Sequence, residues 1–180
     1  MKANVVKGFY RDLKTATELL KKKIGEEELI GATVGFLYYP YWLINFEIKA
    51  SMALGVNKTY EGVYLMVDGI TGFVGYTSIP DLATEELDEE RVLSLKVPEE
   101  AGICGAKEYV KKTFQRLKRL TMLKDMEINV IDKMVIYKQF WLVQLPRKKE
   151  RRIWLLLDSV SGSAQFVVPS EIGMEVNSAR

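Results

Sequence analysis

Two shortages bound what this chain can be: it has no histidine and a single cysteine. Histidine is the commonest general base and a common zinc ligand, so its absence excludes a Ser–His or Cys–His hydrolase. Cys104 alone cannot form an intrachain disulfide framework. Without histidine it cannot complete a structural zinc site either. We therefore expect no metal and no cofactor.

The chain also lacks a large excess of charge of either sign and a long apolar segment. The formal net charge of the 180 residues is +2, which favours no class of partner. No secretory signal is visible. The longest uncharged run, 29–46, is about the minimum length for a membrane span, but it contains Pro40 and several tyrosines, and a buried strand with its lead-in explains it better. We expect a cytoplasmic protein, with a trimmed export or anchor segment as the open alternative.

What the sequence does have is an internal repeat. Residues 38–44 (YYPYWLI) match 137–143 (YKQFWLV), and 65–72 (LMVDGITG) match 155–162 (LLLDSVSG). A helix-like stretch precedes each copy. Self-similarity of this kind indicates two related structural units.

Hydrophobic periodicity predicts the same elements in each copy. The first copy reads as a helix over 7–24 and strands over 34–48, 60–67 and 73–78. The second reads as a helix over 106–124 and strands over 135–145, 153–157 and 164–168. The predicted class is α+β, with two tandem αβββ modules, each a helix packed on a three-stranded antiparallel meander. The modules are 1–80 and 106–172, joined by an acidic connector, 81–105, and followed by a frayed tail, 173–180.

A helix followed by a meander with Asp-Gly in its last turn resembles the PepSY-like domains, which are related in shape to the cystatin fold. The matching residues are 67–74 (VDGITGFV) and, more loosely, 157–162 (LDSVSG). The second copy departs from the motif, with Ser159 and Ser161 in place of Gly69 and Thr71. The resemblance implies a non-catalytic interaction or regulatory module.

Aromatic residues give the first candidate site. Tyrosine and tryptophan are favoured at binding surfaces, and alternation along the first strand places Tyr39, Tyr41 and Leu43 on the face opposite Trp42. With Phe140 of the second copy, they form a predicted surface for a protein or peptide. The alternative is that these side chains pack between helix and sheet or between modules.

Basic residues give the second candidate. Residues 107–152 contain fourteen Lys or Arg and five acids. Such a patch could bind nucleic acid or an anionic membrane surface, or it could be a solvated face. The predicted anion-binding residues are Lys111, Lys112, Arg116, Arg119, Arg147, Lys148, Lys149, Arg151 and Arg152.

Asp68 and Asp158 occupy equivalent turns, where aspartate shapes the backbone through its own hydrogen bonds. We therefore predict turn residues there and no catalytic pair, and we expect the chain not to be an enzyme. The predicted function is recognition of a protein or peptide through a strand edge or the aromatic sheet face. The alternative is binding of nucleic acid or a membrane surface by the basic second module. A homodimer is a further possibility, because one half-covered three-stranded sheet is barely stable alone.

Overall fold

A computed structural model of the chain describes residues 1–52, 57–121, 123–148 and 151–168. Its first half contains a strand, β1 (Lys2–Val6), and two helices, α1 (Leu13–Ile24) and α2 (Glu26–Leu29). Three strands follow: β2 (Thr33–Met52), β3 (Asn57–Asp68) and β4 (Val74–Tyr76).

The second half begins with β5 (Leu82–Glu86) and a 3-10 turn, Glu89–Arg91. A long helix, α3 (Glu99–Thr121), leads into β6 (Leu123–Lys148), β7 (Arg151–Asp158) and β8 (Ala164–Val167). The fold is α+β, as predicted, with three helices and a mostly antiparallel eight-stranded sheet among the described residues. None of the described helices has the length and apolar character to cross a membrane.

The sheet brings sequence-distant strands together. Its main path runs β4-β3-β2-β6-β1-β5, and β7 pairs with β6 and with β8. The two repeated hairpins share one register, since Trp42 lies opposite Val67 and Trp141 lies opposite Leu157. The repeat seen in the sequence is therefore a structural repeat.

The chain divides into two compact units, and neither follows the predicted module boundaries. Unit 1 contains residues 1–40, 81–94 and the chain from 137 onwards. Unit 2 contains residues 41–80 and 95–136. Each unit therefore draws on both copies of the repeat.

The core of unit 1 packs α1, from the first copy, against strands of the second. Ala16 and Leu20 on the buried face of α1 share one cluster with Trp141, Leu155 and Leu157. Every member of this cluster is close to fully buried. The helix predicted to cover the first meander thus covers the second.

The core of unit 2 shows the reciprocal arrangement. Ala106 and Val110 of α3, from the second copy, share a cluster with Ile44, Leu65 and Val67 of the first. The prediction of two αβββ modules is therefore not confirmed, because the two copies exchange helices: each helix packs against strands of the other copy.

Two unusually long strands contribute residues to both units. Strand β2 contributes residues 33–40 to unit 1 and 41–52 to unit 2, while β6 contributes 123–136 to unit 2 and 137–148 to unit 1. At about 3.3 Å per residue, each strand is long enough to serve both units. The predicted strands, 34–48 and 135–145, were shorter than β2 and β6, and the difference is larger for β6.

The helix boundaries also differ from the prediction. Helix α1 begins at Leu13 instead of residue 7, because the Asp12 carboxylate caps it by accepting a hydrogen bond from the N–H of Thr15 at 2.9 Å. It ends at Gly25, as predicted, where φ is +91°. Helix α3 begins at Glu99, within the predicted connector.

The connector is more structured than predicted. Its first part forms β5, which pairs with β1, a strand that the sequence analysis missed. After β5, the connector forms the 3-10 turn and one bridge between Tyr38 and Val92. The predicted tail, 173–180, lies outside the described residues.

Candidate binding surfaces

The predicted aromatic surface is largely interior. Tyr39, Leu43 and Phe140 are only 5%, 4% and 8% exposed, and Tyr41 is half-buried. The rings of Tyr39 and Phe140 pack edge to face with centroids 5.8 Å apart. This burial favours the packing alternative, since a partner would reach three of the four residues only after rearrangement.

The two repeated tryptophans hold the segments that lead into the helices. The Trp42 indole donates a hydrogen bond to the carbonyl of Val97 at 2.9 Å, just before α3. The Trp141 indole donates to the carbonyl of Tyr10 at 2.6 Å, just before α1. Each tryptophan therefore binds the lead-in of the other copy's helix, which fixes the helix exchange at a second point.

The repeated aspartates shape their turns, as predicted. The Asp68 carboxylate accepts hydrogen bonds from the N–H groups of Ile70 and Thr71, both at 2.8 Å. Asp158 accepts from the N–H of Val160 at 2.8 Å. Both side chains thus satisfy turn donors that would otherwise lack partners.

Asp158 also forms a shielded ion pair. The Lys138 amine donates to its carboxylate at 2.8 Å, and both side chains are 13% exposed. Burial alone raises the pKa of Asp158, but the hydrogen bonds and charge supplied mainly by Lys138 outweigh it, so the pKa lies below its ordinary value. This pair anchors the turn on which Tyr10 docks.

A second polar group in unit 1 surrounds Arg11. Its guanidinium donates two hydrogen bonds of 2.6 Å to Glu85, and its Nε donates to the Gln139 side chain at 3.2 Å. The bond from Arg11 lowers the pKa of Glu85 and raises that of Arg11. Gln139 in turn donates to the Arg11 carbonyl at 3.0 Å. These hydrogen bonds hold the segment before α1 against β5 and β6, which is a structural role.

The predicted basic residues fall into two sets. Lys111, Lys112 and Arg116 are exposed on α3, and Lys111 pairs with Glu108 at 3.1 Å. For the second set, the structure describes no side chains, and for Lys149 it describes no backbone either. Its other members are Arg119, Arg147, Lys148, Arg151 and Arg152. Of the predicted basic residues, the structure therefore describes only the three exposed side chains on α3.

Strand β4 forms an edge in unit 2, since it pairs with β3 and with no other described strand. The carbonyl of Phe73 and the N–H of Thr77 bond to β3, at 2.8 and 3.0 Å. Because antiparallel strands alternate the direction of their backbone groups, Val74 and Tyr76 direct their N–H and C=O groups away from β3. These are the groups with which a further strand would pair.

This edge carries three exposed apolar side chains, whereas Val74 is buried. Phe73, Tyr76 and Ile79 are 76%, 46% and 65% exposed. Residues 69–80 contain no charged side chain. Natural proteins protect edge strands by keeping them short, or with charge, proline or a covering element. Strand β4 is short, with three residues. Within β4 no such charge is present.

Helix α3 flanks this edge. The Tyr109 ring lies 5.4 Å from the Tyr76 ring, and Tyr60 of β3 packs edge to face on Phe114 at 5.5 Å. The Tyr76 ring lies partly against the helix, and this partial burial raises the pKa of its hydroxyl. We name the outward edge of β4 with the α3 flank (Tyr109, Lys112 and Arg116) the β4–α3 surface.

The β4–α3 surface was not predicted from the sequence, although part of its signal was visible there. The uncharged run 69–80 includes a predicted strand, and strands without charge are poorly protected as edges. The contribution of α3 could not be read from the sequence, because this helix belongs to the other copy.

Comparison with protein-family models, curated proteins and solved structures finds no match for this chain. The PepSY-like resemblance therefore stays a prediction. Within the described residues, no three His, Cys, Asp or Glu side chains come together as a metal site requires.

Proposed function

We propose that this chain is a non-catalytic binding or regulatory module that recognises a protein or peptide by strand addition at β4. The observation that carries the proposal is the outward-facing backbone of Val74 and Tyr76 on an uncharged edge. An added strand gains main-chain hydrogen bonds there, while side-chain contacts supply specificity. The PepSY-like resemblance and a cytoplasmic location, which the single cysteine favours, belong to this proposal.

The exposed side chains of the edge support the same role. Phe73, Tyr76 and Ile79 offer apolar area that a bound segment would cover. The predicted aromatic face offers less, because Tyr39, Leu43 and Phe140 are buried. Of the two modes expected from the sequence, recognition at a strand edge is therefore the better supported.

Affinity capture from a lysate of the native cells tests the proposal. Tagged wild-type protein is compared with Tyr76→Pro, which removes one outward N–H, and with Tyr76→Val, which keeps that N–H. Protein partners that survive nuclease, persist with Tyr76→Val and disappear with Tyr76→Pro would support strand addition. Partners bound equally by all three proteins would contradict it.

Binding of an anionic polymer or membrane surface is the second candidate. The exposed Lys111, Lys112 and Arg116 on α3 favour it. It predicts captured material that disappears after nuclease, or liposome binding that requires anionic lipid. In either case, binding should fall steeply with added salt.

A homodimer is a further candidate, because β4 of one copy could pair with β4 of another. Sedimentation velocity over a range of concentrations tests it. A dimer that Tyr76→Pro dissociates and Tyr76→Val does not would place the contact at this edge. A monomer at every concentration would exclude it.

A further inference from the structure

We infer that the segment taken at the β4–α3 surface is an extended acidic peptide. This inference rests on the proposed function and adds the chemistry of the partner. It combines three features of unit 2, namely an edge with outward backbone groups, an apolar and uncharged strand, and a row of cations beside it.

The cations lie on the side of α3 that faces the edge. Tyr109 contacts Tyr76 of β4, and Lys112 and Arg116 follow Tyr109 by about one and two turns of the helix. Both are exposed. Residues 107–116 carry four cations and one acid, and that acid, Glu108, pairs with Lys111.

An added strand would lie about 4.8 Å beyond β4, still within reach of long side chains on α3. Its residues would alternate between the two faces of the sheet. On the face covered by α3, they would meet Tyr76, Lys112 and Arg116. On the other face, they would meet Phe73. The pattern that fits is alternation of Glu or Asp with an apolar residue.

A single-stranded nucleic acid is the main competing class, since tyrosine rings beside cations can stack bases. It would leave the N–H and C=O groups of Val74 and Tyr76 without strand partners. A peptide pairs with these groups and also meets the cations. The peptide therefore accounts for both features, and the nucleic acid for one.

Fluorescence anisotropy with defined probes tests the inference on the full-length protein. The probes are three labelled peptides of ten residues that alternate valine with glutamate, threonine or lysine, and a labelled oligothymidine of similar length. We expect the glutamate peptide to bind at least about tenfold more tightly than the threonine peptide, and the lysine peptide to bind least. A tenfold ratio corresponds to about 1.4 kcal/mol.

Two pairs of variants identify the site. Lys112→Glu with Arg116→Glu should weaken binding of the glutamate peptide at least about tenfold, whereas the same charge change at Lys14 and Lys22 of α1 should leave it unchanged. Tyr76→Pro should abolish binding, and Tyr76→Val should retain most of it. Circular dichroism confirms that each variant is folded.

The outcomes separate the inference from the proposed function. Equal binding of the glutamate and threonine peptides, lost with Tyr76→Pro, would overturn acidic selectivity and leave strand addition standing. No binding of any peptide would overturn both. Oligothymidine binding that is tighter than peptide binding and unaffected by Tyr76→Pro would favour the anionic-polymer alternative. Glutamate-peptide binding unaffected by the Lys112 and Arg116 changes would place the acidic site elsewhere.

Discussion

The exchange of helices predicts which core substitutions depend on one another. Leu20 of α1 is fully buried in the cluster that contains Leu155 of the second copy. Leu20→Ala removes buried methyl groups and leaves a cavity, so it should lower the free energy of unfolding by about 2–5 kcal/mol. The size of this loss alone does not show which strands the helix contacts.

A pair of double-mutant cycles identifies the strands that α1 contacts. Leu155 and Leu65 are equivalent residues, each three positions before its turn aspartate, and both are almost fully buried. Leu155 shares the cluster of Leu20, whereas Leu65 belongs to the cluster of unit 2. Leu20→Ala and Leu155→Ala should therefore couple by roughly 0.5–3 kcal/mol. Leu20→Ala and Leu65→Ala should add within about 0.5 kcal/mol.

Urea unfolding followed by circular dichroism and tryptophan fluorescence measures each cycle. Because a domain is stable by only about 5–15 kcal/mol, all samples contain sucrose to keep the double variants folded before urea is added. Coupling between Leu20 and Leu65, together with additivity between Leu20 and Leu155, would contradict the helix exchange. That result would mean that each helix covers its own copy, as the sequence predicted.

Three further substitutions probe the second hairpin turn. The Ser159 hydroxyl is buried with no hydrogen-bond partner in the described chain. Ser159→Ala should therefore raise the free energy of unfolding by about 1–3 kcal/mol, measured by urea unfolding. A decrease would show that the hydroxyl has a partner after all. Gly162 has φ of +69°, and an added Cβ would lie 2.6 Å from a ring carbon of Tyr10. Gly162→Ala should therefore lower the melting temperature. Gly35→Ala is the control and should not lower it, because no atom lies within 4 Å of the Cβ it adds. Asp158→Asn keeps the turn acceptor but removes the ion pair with Lys138, so about 3 kcal/mol should be lost at pH 7. Since the folded pKa of Asp158 is lowered, the pair stabilises the protein above the unfolded pKa of about 3.9 and is lost as the pH falls through the folded value. Wild type should therefore lose more stability than the variant on acidification from pH 6 to pH 3, and parallel profiles would contradict this account.

The sequence was sufficient for local structure. Alternation located most of the strands, and the repeated Trp42 and Trp141 predicted hairpins that share one register in the structure. The turn roles of Asp68 and Asp158 were also predicted. These features depend on residues close together in the chain, where side-chain periodicity and turn chemistry act directly.

The sequence was insufficient for the pairing of helix with sheet. The buried face of α1 presents Ala16 and Leu20, and that of α3 presents Ala106 and Val110, so either helix offers a similar apolar stripe. Both hairpins also offer an equivalent tryptophan. Local patterns cannot distinguish two nearly equivalent partners.

The candidate surface was missed for a related reason. Alternation assigned Tyr39 and Leu43 to one face of a strand, but it did not show that this face is buried. Whether a strand lies at an edge depends on the order of all strands in the sheet, which is a non-local property. The β4–α3 surface joins the first copy to the helix of the second, so it exists only because the helices are exchanged.

One NMR measurement tests this exchange and the surface together. A nuclear Overhauser spectrum with selectively labelled aromatic residues reports which ring lies next to Tyr109 of α3. We expect a cross-peak to Tyr76, whose ring centroid lies 5.4 Å away. A cross-peak instead to Phe166, the equivalent residue on β8 of the second copy, would show that α3 covers its own copy and would contradict the account.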